Sequence, residues 1–195
     1  MSNIIHPFQI PIYQSFIEED SFTQIEKDVK LYIKNYKEEF KTSWDCPTLS
    51  TISSSFQFKS DSFDKELKKI TEVYFNEWGF EGSFNLKFSN VWVNISPKGS
   101  FQESHKHSHY LEKNIFSGVF YIDVTKDSGD LFLVNPIEDQ LLSLLPTPKI
   151  SPRVSIPPQN RKIICFPSWM EHYVGQNKSQ QNRISVSWNI EVINK

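Results

Sequence analysis

The sequence predicts a mainly β chain with helices at its front, an α+β arrangement whose β part forms a sandwich, barrel or jelly roll. Three observations point there. The apolar period is helical before Gly79 and becomes strict alternation after about residue 86. The alternating runs are short and separated by Pro, Gly and Ser clusters. The core material is aromatic: 16 Phe, 7 Tyr and 5 Trp in 195 residues offer large apolar areas to a chain only 38% hydrophobic. This length suits one domain, residues 1–195, in which 1–85 form a helical N-terminal support and 86–195 the β core.

Phe8, Ile10 and Ile12 alternate around Pro7 and Pro11, which suits an edge strand, where a missing N–H is tolerated. Residues 22–40 place Phe22, Ile25, Val29, Tyr32, Ile33, Tyr36 and Phe40 at helical spacing, with Ser21 and Gln24 as a capping box. Residues 46–60 read as a loop or weak strand. A second helix runs from Phe63 to Trp78, capped by Asp61 or Ser62 and ended by Gly79. Strands follow at 86–96, 115–124, 130–135, 162–166 and 183–193. The proline-rich stretch 144–159 cannot be central strand throughout and reads as a surface loop, either a lid or a connector.

The 21 basic and 23 acidic residues leave a net charge of −2, with no basic stripe of the kind nucleic acid selects. Lys65, Lys68 and Lys69 read as the solvated face of a helix. Cys46 and Cys165 stand far apart, and Cys165, inside IICF, reads as a buried reduced thiol. The opening MSNIIHPFQIPIYQ lacks the build of a signal peptide, and no apolar run approaches the roughly 18 residues of a membrane span. A cytoplasmic location is the expectation, and no membrane partner.

Chemistry concentrates in FQESHKHSHY, residues 101–110, where His105, His107 and His109 alternate. In an extended segment alternate side chains share a face. Alone, the tract is a solvated or adventitious metal-binding loop. Strand 183–193 sets Arg183, Ser185, Ser187 and Asn189 opposite Ile184, Val186, Trp188 and Ile190, and by itself reads as an antiparallel strand with one wet face. Strand 91–96 is two-sided in the same way, with Trp92, Asn94 and Ser96 on one face. His172 precedes Arg183 by eleven residues, and the polar GQNKSQQN between them suggests a hairpin bringing both to one cavity.

With these residues in place the chain resembles the iron(II)- and 2-oxoglutarate-dependent oxygenases, and among them a group of short bacterial and phage proteins. The resemblance runs from Val91 to Ile193 through WVNISPKGSFQESHKH, FSGVFYIDV, ICFPSWMEHYV and RISVSWNI; PFQIPIY matches the group's opening more weakly. It implies a double-stranded β-helix, the cupin-like jelly roll, and a dioxygenase that uses Fe(II), 2-oxoglutarate and O₂ to hydroxylate a substrate, releasing succinate and CO₂. It also implies His105, His107 and His172 as metal ligands and catalytic centre. Arg183 would grip the far carboxylate of 2-oxoglutarate, with Ser185 beside it. Tyr121 and Asn94 would be further cosubstrate contacts.

One position departs from the superfamily pattern, whose facial set is two histidines and a carboxylate: His107 stands at the carboxylate's place. Three arrangements satisfy the sequence: His107 as third ligand, Glu103 or Glu112 swung in as carboxylate, or an altered, inactive site. His109 reads as an exposed loop residue and His6 as uninvolved. Two other functions fit: a cupin-like three-histidine metalloenzyme that does not use 2-oxoglutarate, and a non-enzymatic jelly-roll binding or virion-associated module. A small molecule or a peptide is the expected substrate, in the host cytoplasm if the chain is phage-encoded. A nucleobase also satisfies the sequence, though the charge gives nucleic acid no support.

Overall fold

A computed structural model describes residues 9–42, 46–80, 85–108, 113–143 and 151–193. Helix α1, Glu19–Asn35, buries Phe22, Ile25, Val29 and Tyr32 along one stripe. It starts earlier than the capping box predicts. Glu18 is the N-cap without a side-chain bond, because Ser21 already lies in the first turn and donates to Glu66 Oε1 (3.0 Å), while Gln24 donates to Asp28 (2.7 Å). It also ends short of residue 40, where a 3₁₀ turn, Lys37–Glu39, takes over, yet Tyr36 and Phe40 still pack on the core. Helix α2, Asp61–Glu77, buries Phe63, Leu67, Ile70 and Tyr74. Its cap is Ser60, one or two residues before those expected, whose Oγ accepts from Phe63 N at 3.3 Å. Gly79, at φ +68°, follows its end.

Eleven strands form two antiparallel sheets among the described residues. In chain order they are β1 (Tyr13–Phe16), β2 (Lys41–Thr42), β3 (Leu49–Ser50), β4 (Asn85–Ser96), β5 (Gln102–His105), β6 (Asn114–Asp123), β7 (Leu131–Val134), β8 (Arg153–Ile156), β9 (Lys162–Pro167), β10 (His172–Val174) and β11 (Arg183–Ile193). A five-residue helix, α3 (Glu138–Leu142), follows β7. The major sheet runs β1-β9-β6-β11-β4-β3-β2 and the minor sheet β5-β10-β7-β8. The chain is a double-stranded β-helix backed by two helices.

The predicted edge strand exists but lies at Tyr13–Phe16, beyond the alternating Ile10 and Ile12. Pro11 instead offers its carbonyl to Tyr74 Oη at 2.6 Å. The proline-rich stretch carries β8 at the minor sheet's edge; residues 144–150 lie outside the described residues, as do His6, His109 and Glu112. Both cysteines are buried thiols.

Alternation explains the layering. On β6, Phe116, Phe120 and Ile122 face the helices while Tyr121 and Val119 face the minor sheet, and on β9 Ile163 and Cys165 oppose Ile164 and Phe166. β11 sends Val186, Trp188 and Ile190, all fully buried, toward α1 and α2. Its polar face is not wet: Arg183, Ser185 and Asn189 are buried as well. β10 and β11 are not a hairpin either. β10 pairs with β5 and β7, β11 with β4 and β6, so GQNKSQQN crosses from one sheet to the other.

Gly118 lies across from Trp188 in the β6–β11 pairing, and a Cβ there would press into the indole and come 2.6 Å from the Ile164 carbonyl. Gly118→Ala is therefore expected to cost about 1–3 kcal/mol through overpacking, read as a lowered urea midpoint at unchanged m value. An unchanged midpoint would show that the indole can move aside.

Candidate metal and cosubstrate site

β10 lies beside β5 with His172 directly opposite His105. His107 follows β5 by two residues and is pinned through its backbone: its N–H donates to Ser168 O (2.9 Å) and its carbonyl accepts from Asn114 Nδ2 (3.1 Å). Ser168 is itself anchored in a buried chain, its Oγ 2.8 Å from Ser117 Oγ, which donates to Asn189 Oδ1 at 2.8 Å. The three rings converge, with centroids 4.2 Å (105–172), 5.0 Å (105–107) and 5.0 Å (107–172) apart. One nitrogen from each lies within 4.8 Å of the other two, close enough to hold one metal ion.

The electrostatics suit that task. Burial pushes His105 below its ordinary value, and does so strongly for His172, which His105 and His107 repel further. His107 is pushed down to about 3 by burial and then by His105. All three are neutral at pH 7 and keep a lone pair. His105 Nδ1 lies 2.7 Å from Glu103 O and His172 Nδ1 2.9 Å from Met170 O. A carbonyl can only accept, so Nδ1 carries the proton and Nε2 is the donor atom toward a metal.

The rings line a cavity of about 540 Å³, open mouth included, that also holds Tyr121, Arg183 and Ser185. Arg183 is 3% exposed. Its Nη1 donates to Gly129 O (3.2 Å) and its Nη2 to Ser96 Oγ (3.3 Å), while Nε has no acceptor. Among the described residues no carboxylate pairs with it. A buried, unpaired guanidinium costs several kcal/mol, roughly, unless a guest anion meets it, and this orphaned donor fits 2-oxoglutarate. Tyr121, pushed up to about 12 by burial, stays a neutral phenol.

Asn94 is placed differently. It is buried but does not line the cavity; its Nδ2 donates to Ser187 Oγ (3.1 Å), which does. Glu103 borders an outer groove with Ser104 and Glu171 and does not line the cavity, although its charge reaches His105. Trp92, Gln102, Phe166, Ser50 and Ile52, to which the sequence assigns no role, also line the wall. Trp92 stands 5.6 Å from the His107 ring and Phe166 4.7 Å from that of His172. Trp92 was legible as a neighbour on the Asn94 face; Ser50 and Ile52 carry no local signal.

Fold and donor set define a jelly-roll protein able to hold a divalent metal beside an anion. Residues 90–189, just over half of the chain, match the family described as "Putative 2OG-Fe(II) oxygenase". The chain belongs to this family of enzymes, whose cofactors are Fe(II) and 2-oxoglutarate. No curated relative matches by sequence. Its fold is shared by a prolyl-4-hydroxylase from Pseudomonas putida (TM-score 0.63, 14% identity, 93% of this chain and 92% of that one). AviO1 from Streptomyces viridochromogenes Tue57 is similar (0.64, 12%, 93% and 90%). So is the epimerase SnoN in complex with Fe³⁺, alpha ketoglutarate and nogalamycin RO (0.68, 12%, 93% and 79%). Among the described residues no helix is long and apolar enough to cross a membrane.

The depressed imidazoles make a pH prediction. An unfolded histidine titrates near 6.5, so below that pH the unfolded chain binds protons the folded site refuses. Stability of the metal-free protein should be level above about pH 7 and fall as pH drops from 6.5 toward about 3. His107→Gln should flatten that slope. Urea midpoints measured with a chelator between those limits, for both proteins, check it; equal slopes would mean His107 is not held neutral.

Proposed function

We propose that His105, His107 and His172 hold the iron of this oxygenase and that Arg183 holds the far carboxylate of 2-oxoglutarate. The observation that carries this reading is the convergence of three neutral imidazoles with an orphaned, buried guanidinium in one cavity. Bound together, iron, 2-oxoglutarate and O₂ supply the oxidising chemistry, with succinate and CO₂ as coproducts. Everything else falls to this chain. Glu103 O and Met170 O fix the tautomers of His105 and His172, so neither ring must rearrange to offer its lone pair. The planar fork of Arg183 selects a carboxylate and orients it. Ser185 adds a hydroxyl on the same strand face, and Tyr121, a neutral phenol, donates a hydrogen bond to the same guest. Asn94 acts indirectly, by orienting Ser187. Phe166, Leu131 and Val174 keep the floor apolar and limit water around the reacting atoms.

The substrate is a small molecule or a peptide, processed in the cytoplasm. A prolyl-4-hydroxylase and an epimerase in complex with nogalamycin RO both share this fold, which supports a reading that leaves either size open. Arg183 separates this reading from a three-histidine enzyme that needs no cosubstrate.

Calorimetry with Mn(II) as an oxygen-stable probe tests both halves. Arg183→Ala is expected to lose about 2–5 kcal/mol of 2-oxoglutarate binding, about 30-fold to several thousand-fold, while still binding metal. His172→Ala should lose stoichiometric metal. Wild-type cosubstrate affinity in Arg183→Ala would reject the assigned role of Arg183.

A further inference from the structure

Among the described residues no Asp or Glu lines the cavity, and the one charged side chain that does is Arg183. Charge can be counted from the groups that face it. On the site reading proposed above, on which this step rests, the iron brings two positive charges, Arg183 one, and 2-oxoglutarate two negative ones. A metal-bound imidazole is neutral, as is the phenol of Tyr121, so one positive charge is left over. Among the described residues, nearby groups do not cancel it. Asp130 acts on Tyr121 but also on Lys162, an opposite charge. The charge of Glu103 reaches His105, but its side chain borders the outer groove beside Arg153, where solvent screens it, and not the cavity.

The approach leaves that charge unmet. Ser50 and Ile52 border both the cavity and an outer depression of about 500 Å³ that presents Lys41 and the hydroxyls of Thr42 and Ser53. Among the described residues Glu39 is the one acid at that depression, and its carboxylate accepts from Ser54 Oγ at 2.7 Å. A molecule passing from that depression over Ser50 and Ile52 leaves a surface whose Lys41 and Glu39 balance, and meets a cavity short of one negative charge.

We infer that the substrate is an anion, carrying a carboxylate or another monoanionic group that enters the cavity beside the iron and 2-oxoglutarate. A single charge against the residual positive charge, a few ångströms away and partly desolvated, favours it over a neutral isostere by about 10- to 100-fold.

The test uses the whole protein under anaerobic conditions with Fe(II) and saturating 2-oxoglutarate. Its readouts are the visible absorption of the iron–cosubstrate complex and the melting temperature. The probes are matched pairs: acetate against acetamide, butyrate against butyramide. The acids should shift the band and raise the melting temperature, saturating at about 10-fold lower concentration than the amides. In His107→Asp, where a carboxylate replaces the neutral ligand, that preference should disappear. Equal responses to acid and amide in the wild type overturn the inference, whether or not His107→Asp folds. So does a preference undiminished in a folded His107→Asp, or a band that bleaches because the acid has displaced 2-oxoglutarate. Absence of the band from the start, before any probe is added, removes the site reading itself and this inference with it.

Discussion

The pairing of β10 with β5, which sets His172 across from His105, is the constraint on which the site depends. Side chains alternate along a strand, so a slip of one residue would turn one imidazole out of the cavity. The strands concerned are only three and four residues long, too short to fix register alone. β10 gains it from β7 on its other side, where His172 lies opposite Leu133. β5 is an edge and gains it from outside: Ser104 Oγ donates to Glu171 Oε1 (2.7 Å), and Lys106 approaches the same carboxylate. Ser104 and Lys106 flank His105, and Glu171 precedes His172, so the outer clamp spans the two ligand-bearing segments.

Burial then makes opposite demands on the two kinds of nitrogen base in the cavity. An imidazole titrates close to neutrality, so desolvation simply removes its proton and leaves a ligand. A guanidinium titrates far too high for that. Burial lowers Arg183 without making it neutral, and its unmet Nε persists as a standing demand for an anion. The same low-dielectric pocket thus prepares a metal site from histidine and an anion site from arginine. It needs no conformational change to do so.

The long elements were legible because each carries enough residues to show a period. α2, β4, β6 and β11 fall within a residue or two of their expected bounds. β5, β8 and β10 are three or four residues each, below the length at which alternation can be told from chance. Ser60, Asp61 and Ser62 offer three cap-competent residues in a row, and only the backbone turn decides among them. The linker from His172 to Arg183 has a hairpin's length and polarity, but whether the returning strand joins the same sheet or the opposite one is set by partners far away in sequence. The shared face of His105 and His107 was readable from their alternation, whereas the place of His172 beside them was what the family resemblance implied. The contribution of Ser50 and Ile52 was not readable, because nothing within a few residues of them signals a cavity.

β11 explains how one segment can serve both stability and chemistry. Its outer face, Val186, Trp188 and Ile190, is sealed against Phe63 and Phe120 under the helices. Burying such side chains contributes about 1.5–3 kcal/mol each, enough to hold a strand whose inner face is polar. With that face anchored, the inner one can leave donors unmet without loosening the backbone. The ladder with β6 is irregular between Ile184 and Ser185 and again between Ile190 and Glu191, and such irregularities re-aim side chains locally. Arg183 and Ser185 lie at the first of them, next to the cavity, while Trp188 lies in the regular stretch between. The strand is stiff where it carries the fold and bent where it presents the guanidinium.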